Sequence, residues 1–325
     1  MNDMNRKVMA LIAVAIVVVA GLIIYDVGVV NHGSTNKGII IGVDSNNIQG
    51  VRLDRIVSLD PAATTTLYAL GAYKYLVGGN AYDSYPPNEK LPNVTDYPSM
   101  SIQQIVNLSP DAVISFTNYS QSQVNQLLSL GIDYVFLSSG ANTSFNLIER
   151  QTTLLGELTG TQNNASKINQ WINESLAKLQ NVSVPEEYSM FYALYPGSHG
   201  TWTSGNNTFM NQMFEFAHMK NIAVNQSGFY EISNEIIVSG NPQVLILDQY
   251  FNDSLVNETP YTQTSAYSSH RVYNIFNDNI FQEPTFRSVY GIQWLIYKVY
   301  GDIVSLPSFP INLQYSPVPL HVADE

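Results

Sequence analysis

The order of apolar and polar positions after residue 54 predicts repeated strand–loop–helix units. The apolar strand Ile56–Leu59 runs into a short loop and then into a helix-type period that ends at Gly71. A second apolar strand at 76–78 leads into the aromatic, proline-rich loop Tyr82–Pro87. Units in which a loop follows the carboxyl end of each strand predict an α/β fold.

Residues 164–180 contain neither glycine nor proline and predict one uninterrupted helix. Their apolar residues recur at steps of three and four: Ala165, Ile168, Trp171, Ile172, Leu176 and Leu179. At about 1.5 Å per residue the helix spans about 24 Å, which is long enough to bridge two lobes. An ordinary surface helix has the same pattern and is the alternative.

Two segments of the chain resemble each other. When Pro110 is aligned with Pro242, Ser101–Val106 lies over Ser233–Val238, and both segments continue into an apolar strand. Each predicts a short helix opened by a capping serine, a turn and a buried strand. The repeat predicts two Rossmann-like lobes related by a pseudo-twofold axis, with a ligand cleft between them where strand ends and loops converge.

The N-terminus carries an apolar run, Val8–Ile24, which follows Arg6 and Lys7. Its length is at the short end for a transmembrane helix, and the preceding charges place the rest of the chain outside the cell. We expect a signal anchor over residues 1–25, a single pass through the cell membrane. A cleaved signal peptide is the alternative. The chain has no cysteine, so a lipid anchor on cysteine is not expected.

The pattern divides the remaining chain into five segments. They are a tether with a hairpin (26–53), an N-terminal α/β lobe (54–145), connecting helices that include the bridging helix (146–186), a C-terminal α/β lobe (187–301) and an extended tail (302–325). The hairpin is expected from strands at Ile39–Val43 and Ile48–Leu53, which are joined by a turn.

Composition excludes some function classes. The net charge is −12 and only 12% of residues are charged, which argues against a nucleic-acid-binding surface. Eleven N-x-[ST] triplets all follow the apolar run, as in a glycosylated archaeal surface protein, although chance alone produces several in such a chain. We find no nucleophile-elbow, Walker or dinucleotide motif in the required context and expect no enzyme. The five histidines are scattered, so a bare-metal site is not expected either.

The motifs, taken in order, resemble those of the extracytoplasmic substrate-binding proteins of ABC importers for cobalamin, ferric siderophores and haem. They include R-I-V-S-L-D-P-A-A-T at Arg55–Thr64, Y-P-P at Tyr85–Pro87, L-S-P-D-A-V at Leu108–Val113 and T-S-G at Thr203–Gly205. The resemblance covers roughly 54–301. It implies capture of a metal chelate between two lobes, delivery to a permease with its ATPase, and no intrinsic cofactor. A membrane-tethered sensor or adhesin on the same fold is the alternative.

The resemblance also implies which residues contact the ligand. They are Pro61, Ala62, Tyr82, Tyr97, Trp202, Phe281 and Arg287. Aromatic rings hold flat chelates by stacking, and an arginine meets their peripheral carboxylates or catecholate charge. Trp202, expected in a loop, is the aromatic residue that we favour most. His199 close to it is a candidate axial ligand for haem iron or, as the alternative, a simple hydrogen-bond donor. We expect Tyr85 to be structural and Asp60 to cap a helix.

Two residues are implied to contact the permease. In the family, each lobe usually presents a glutamate on the short helix of the repeat, where it meets an arginine of the permease. This chain has Glu235 in the second lobe but Gln103 in the first. A glutamine cannot form the charge-assisted pair with a guanidinium group, so docking is expected to be weaker on that side.

Overall fold

The computed structural model describes the following residues: 38–45, 48–87, 89–96, 99–137, 143–249, 251 and 253–317. The apolar run Val8–Ile24 lies outside them, so the membrane anchor stays a prediction. Within the described part of the chain, no helix has both the length and the apolar character needed to cross a membrane.

The first α/β unit, residues 38–137, is built on a five-stranded parallel sheet. Its strands follow the spatial order β1-β5-β4-β2-β3. They are β1 Ile40–Gly42, β2 Ile56–Ser58, β3 Leu76–Gly78, β4 Ala112–Ser115 and β5 Asp133–Phe136. Three helices connect them: α1 Pro61–Ala69, α2 Ile102–Asn107 and α3 Gln121–Ser129. The parallel sheet confirms the predicted α/β class.

The predicted N-terminal hairpin is wrong. β1 pairs in parallel with β5, where Ile41 lies opposite Val135, and the segment at 48–53 forms no strand. Ile41 is almost completely buried in the sheet, and the Leu53 N–H donates to the Leu158 carbonyl at 2.8 Å. Ile41 is thus buried in the sheet of the first unit and Leu53 is buried beside α4, whereas an isolated hairpin would leave both exposed to water.

Two helices connect the units: α4 Phe145–Thr159 and α5 Gln162–Gln180. Gly160, at φ 69°, ends α4 in the left-handed conformation and reverses the chain. α5 confirms the predicted helix, and all six residues of its predicted apolar stripe are buried. It packs against α4 and also against two helices of the second unit, which are defined next as α6 and α10.

The second α/β unit, residues 188–301, contains a parallel sheet and a smaller antiparallel one. The parallel strands follow the order β12-β11-β6-β9 and are β6 Tyr188–Ala193, β9 Met219–Asn221, β11 Val244–Leu247 and β12 Val272–Asn274. The antiparallel strands follow the order β10-β8-β7 and are β7 Tyr195–Pro196, β8 Gly200–Ser204 and β10 Phe229–Ser233. The helices are α6 Phe209–Phe216, α7 Asn234–Gly240, α8 Ser265–Ser268, α9 Asp278–Gln282 and α10 Ser288–Tyr300.

The strand orders of the two parallel sheets agree with the predicted repeat. The order β5-β4-β2-β3 in the first unit corresponds to β12-β11-β6-β9 in the second, and α2 and α7 precede the equivalent strands β4 and β11. One detail differs. The Ser101 hydroxyl accepts from the Gln104 N–H at 3.4 Å, whereas Ser233 occupies the capping position without a capping bond from its side chain.

Candidate functional site

The loop after β2 is held by Asp60. Its Oδ1 accepts from the Ala62 N–H at 2.9 Å, and Pro61 stands in the first turn of α1, where a missing N–H is tolerated. Asp60 therefore caps α1, as the sequence predicts. Burial raises the pKa of Asp60 to about 7, because a carboxylate loses hydration in this enclosed position. Pro61 and Ala62 remain partly exposed at the carboxyl end of the strand.

The loop after β3 carries the predicted Tyr82. This side chain is 52% exposed, which leaves its ring free for contact. In the same loop, Asp83 Oδ2 accepts from the Asn80 N–H at 3.0 Å, and burial raises the pKa of Asp83 to about 6. Tyr97, the other aromatic residue predicted for this unit, lies outside the described residues.

In the second unit, polar side chains meet at the carboxyl end of β11. Buried Asp248, which directly follows β11, is hydrogen-bonded by the Tyr192 hydroxyl and by Gln282 Nε2, the latter at 2.8 Å. Asp248 and Gln282 are thus joined to each other at the carboxyl end of β11. Glu283 follows Gln282 in the chain, and burial raises the pKa of its carboxyl to about 8. The positive charge of Arg287 opposes this rise in pKa, whereas the charge of Asp60 adds to it.

Arg287 forms a direct contact between the units. Its guanidinium lies over the Tyr85 ring at 4.3 Å from the ring centre, and its side chain is buried. Burial lowers the pKa of Arg287, an effect that the neighbouring Glu283 opposes. Tyr85 is 4% exposed and lies edge-on to Tyr68 of α1, so its expected structural role is confirmed. Arg287 is thus engaged between the units and is not a free surface cation.

The strongest predicted aromatic residue, Trp202, lies on β8 and not in a loop, which corrects the prediction. It is paired with Tyr195 of β7 and Glu231 of β10, and residues in register share one face of a sheet. Trp202 stacks on Tyr195 with ring centres 5.6 Å apart. Phe229, two residues before Glu231, lies on the same face. We call Tyr195, Trp202 and Phe229 the aromatic face.

The sequence did not indicate Tyr195 or Phe229. The alternation in Gly200–Ser204 is the signal that could have found them, because a strand there places its pairing partners beside Trp202. Within the described part of the structure, the buried hydroxyls of Tyr195 and Ser204 make no hydrogen bond. His199 lies exposed in the turn between β7 and β8, where its Nδ1 is 2.8 Å from the Ser198 hydroxyl.

Phe281 was predicted to contact the ligand, and the structure corrects this. Its side chain is completely buried on α9, where it packs edge-on to Phe276 and Trp294. It belongs to the core beneath the site, because no part of its ring reaches the surface.

The two predicted docking residues lie at equivalent positions of the repeat. Gln103 is exposed on α2, and its Nε2 donates to Asn107 Oδ1 at 2.9 Å. Glu235 is exposed in the first turn of α7, where hydrogen bonds lower the pKa of its carboxyl, the largest effect coming from the Ser233 side chain. Both side chains are accessible to a partner, and only Glu235 carries charge.

Two other features lack the chemistry of a site. Among the described residues, no cluster of three histidines, cysteines or carboxylates is arranged to hold a metal ion. A groove on the outer surface of α4 and α5 contains none of the predicted residues. It is lined by Thr153, Glu157, Gln162, Ala165, Ser166 and Asn169.

Three known proteins are similar to most of this chain in sequence or in fold. An uncharacterized ABC transporter substrate-binding lipoprotein of Bacillus subtilis, YvrC, is 27% identical over 256 residues, which are 76% of this chain and 80% of that protein. A cobalamin-binding protein of Halobacterium salinarum is 29% identical over 249 residues, 73% of this chain and 66% of that protein. The crystal structure of the periplasmic vitamin B12-binding protein BtuF of Vibrio cholerae shares the fold, with a TM-score of 0.63 at 20% identity, over 76% of this chain and 97% of that one.

A family model described as periplasmic binding protein matches residues 56–278. This range contains both parallel sheets apart from β1, and it includes the loops at the ends of β2, β3 and β11. Since the match covers more than half of the chain, the protein belongs to the periplasmic binding protein family.

Proposed function

We propose that this protein is the substrate-binding component of an ABC importer and that it captures a metal chelate between its two α/β units. The observation that carries the proposal is the contact of Arg287 in the second unit with the ring of Tyr85, which lies in the loop after β3 of the first unit. Ligands of open α/β sheets bind outside the carboxyl ends of the strands. In the proposed arrangement those ends face each other, and the units serve as the two lobes of a cleft.

The ligand is a large chelate of the corrinoid, haem or ferric siderophore class. Trp202, stacked on buried Tyr195, and Phe229 are partly exposed and offer apolar rings on the second unit. The exposed ring of Tyr82 offers a further one on the first unit. Stacking on such rings favours extended conjugated ligands. The cobalamin-binding relative from Halobacterium supports a corrinoid as the first ligand to test.

Opening of the cleft is limited by α5. This helix contains no glycine or proline, and it packs against α4 and against α6 and α10 of the second unit. At its start, Asn164 Nδ2 donates to the Leu70 carbonyl of the first unit at 2.9 Å. Bending the helix would break backbone hydrogen bonds and expose apolar side chains such as Ile168 and Ile172, which are completely buried. The lobes therefore close over a ligand by a small rotation.

Release of the ligand requires a permease, and α2 and α7 are the proposed docking helices. The exposed carboxylate of Glu235 suits an arginine of the partner, whereas Gln103 offers a neutral hydrogen-bonding contact. Docking is consequently unequal on the two sides. Transport is favoured over the sensor or adhesin alternative by the ABC transporter relative from Bacillus.

Cellular location is part of the same proposal. The binding units lie outside the cytoplasm, held by the predicted anchor over residues 1–25, and some of the exposed N-x-[ST] triplets carry glycans. The protein acts as a binder without catalysis, as its solute-binding relatives do. ATP is hydrolysed by the partner ATPase and not by this chain.

Binding is tested with the full chain in detergent by titration with cobalamin, haemin and a panel of ferric siderophores. Visible absorbance and thermal unfolding are the two readouts, because a specific ligand changes both. The Trp202→Ala variant tests the aromatic face, and Tyr267→Ala, which removes a partly exposed ring of the same unit on α8, is the matched control. Absence of binding by the whole panel, with the wild-type fold intact, contradicts the proposal.

A further inference from the structure

The C-terminal segment 302–317 follows α10 without forming a helix or a strand, and it lies beyond the family match. Its first part packs on the second unit and on α5. Gln293 Nε2 donates to the Val304 carbonyl at 3.2 Å, and Trp171 Nε1 of α5 donates to the Pro307 carbonyl at 2.8 Å. Phe309 stacks on Phe286 at 4.9 Å between ring centres. This part of the segment is therefore firmly attached.

The last described residues of the segment reach the first unit. The Tyr315 N–H donates to the Tyr68 hydroxyl of α1 at 3.0 Å, and the Tyr315 carbonyl accepts from the Tyr85 hydroxyl at 2.8 Å. Two residues later, the Pro317 carbonyl accepts from Arg287 Nε of the second unit at 3.4 Å. Tyr85 and Arg287, which contact each other between the units, are thus both bound by the segment: Tyr85 by Tyr315, and Arg287 by Pro317.

We propose that residues 302–317 form a strap that ties the second unit to the first and holds Arg287 and Tyr85 in place between them. The hydrogen bonds to the first unit use buried or partly buried groups, so they exchange poorly with water. Tyr85 is almost completely buried, and its hydroxyl would lose its partner if the strap were released. The strap therefore restricts rotation of the units independently of any ligand.

The strap can be divided at Leu313. A chain that ends at Leu313 keeps the contacts of Val304, Pro307 and Phe309 but loses both Tyr315 and Pro317. A chain that ends at Pro317 lacks only 318–325 and keeps every strap contact described above. This second chain is the matched control, because it is also shortened but retains the tie between the units.

The test measures the distance between the units without ligand. The chain has no cysteine, so two introduced cysteines carry spin labels at defined sites. Leu130→Cys and Val224→Cys suit this purpose, since these side chains are 52% and 41% exposed and lie on different units. We expect the chain ending at Leu313 to show a distance distribution at least twofold broader than the full chain, and the chain ending at Pro317 to match the full chain.

Equal distributions for the chains ending at Leu313 and Pro317, with both folded by circular dichroism, would overturn the strap. If the shorter chain does not fold, the double variant Tyr68→Phe, Tyr85→Phe replaces it, because this variant removes both hydroxyl contacts to Tyr315 and keeps the rings. A broader distribution than wild type supports the strap, and an unchanged one contradicts it. No ligand is used, so a failure of the strap is distinguishable from a failure of the proposed transport function.

Discussion

Asp60 makes the stability of this protein depend on pH, and Asp60→Asn is the change that isolates its contribution. Asparagine has nearly the same shape, and its side-chain oxygen can accept the same hydrogen bond from the Ala62 N–H. The substitution therefore keeps the helix cap and removes only the ionisable group. Asp302→Asn is the matched control, because it makes the same change at an exposed position.

The expected magnitude follows from the pKa of Asp60, which burial raises from its ordinary value of 3.8 to about 7. The folded state thus binds this proton more tightly than the unfolded state, so ionisation opposes folding. The free energy of unfolding falls as pH rises from about 4 to about 7, and the full loss remains above pH 7. Each unit of difference in pKa corresponds to 1.36 kcal/mol, so the free energy of unfolding falls by at most about 4 kcal/mol.

Urea unfolding of wild type, Asp60→Asn and Asp302→Asn at pH 4, 6 and 8 measures this effect. We expect Asp60→Asn to equal wild type at pH 4 and to exceed its stability by up to about 4 kcal/mol at pH 8. Other carboxyls contribute to the pH dependence of both proteins, so the difference between them is the quantity to follow. A constant difference from pH 4 to pH 8 would refute the reasoning.

Four further predictions concern the ligand, the partner and the core. Trp202→Ala weakens chelate binding by about 1–3 kcal/mol in calorimetry, since a large aromatic contact is lost, and an unchanged affinity removes Trp202 from the site. Glu235→Ala leaves ligand affinity unaltered but lowers uptake in vesicles that contain the permease; equal uptake argues against docking through α7. Gln103→Glu tightens docking by less than about fivefold if the permease has an arginine facing α2, and surface plasmon resonance measures this. Ile168→Ala lowers the free energy of unfolding by about 2–5 kcal/mol in urea, because it leaves a cavity beneath α5; a loss below 1 kcal/mol contradicts that packing.

The local sequence pattern was sufficient to predict an element whose structure depends only on its own residues. The helix α5 contains no glycine or proline and has one apolar stripe, and both properties are visible within about twenty residues of sequence. The partner of β1 is not visible in this way. Ile41 pairs with Val135 of β5, far away in the chain, and a local hairpin was the nearest pairing that the pattern of residues 39–53 suggested.

The site was predicted unevenly for a related reason. Trp202 was recognised by its neighbours in sequence, but its strand, and therefore its contact with Tyr195, depends on pairing with β10 and β7. Phe281 was expected at the ligand but lies completely buried in the core. Whether an aromatic residue on a short helix faces a cleft or the core depends on the rotation of that helix, and sequence position alone does not define this rotation.

In the proposed cleft, the hairpin of β7 and β8 gives the two sides different characters. In the first unit the chain passes from β2 directly into α1, whereas in the second unit the hairpin is inserted between β6 and the helix α6. One side therefore presents the loop at a helix start and the other presents flat rings on a sheet. We expect a ligand with unlike faces to bind in one orientation only, so that the permease receives every molecule with the same end first.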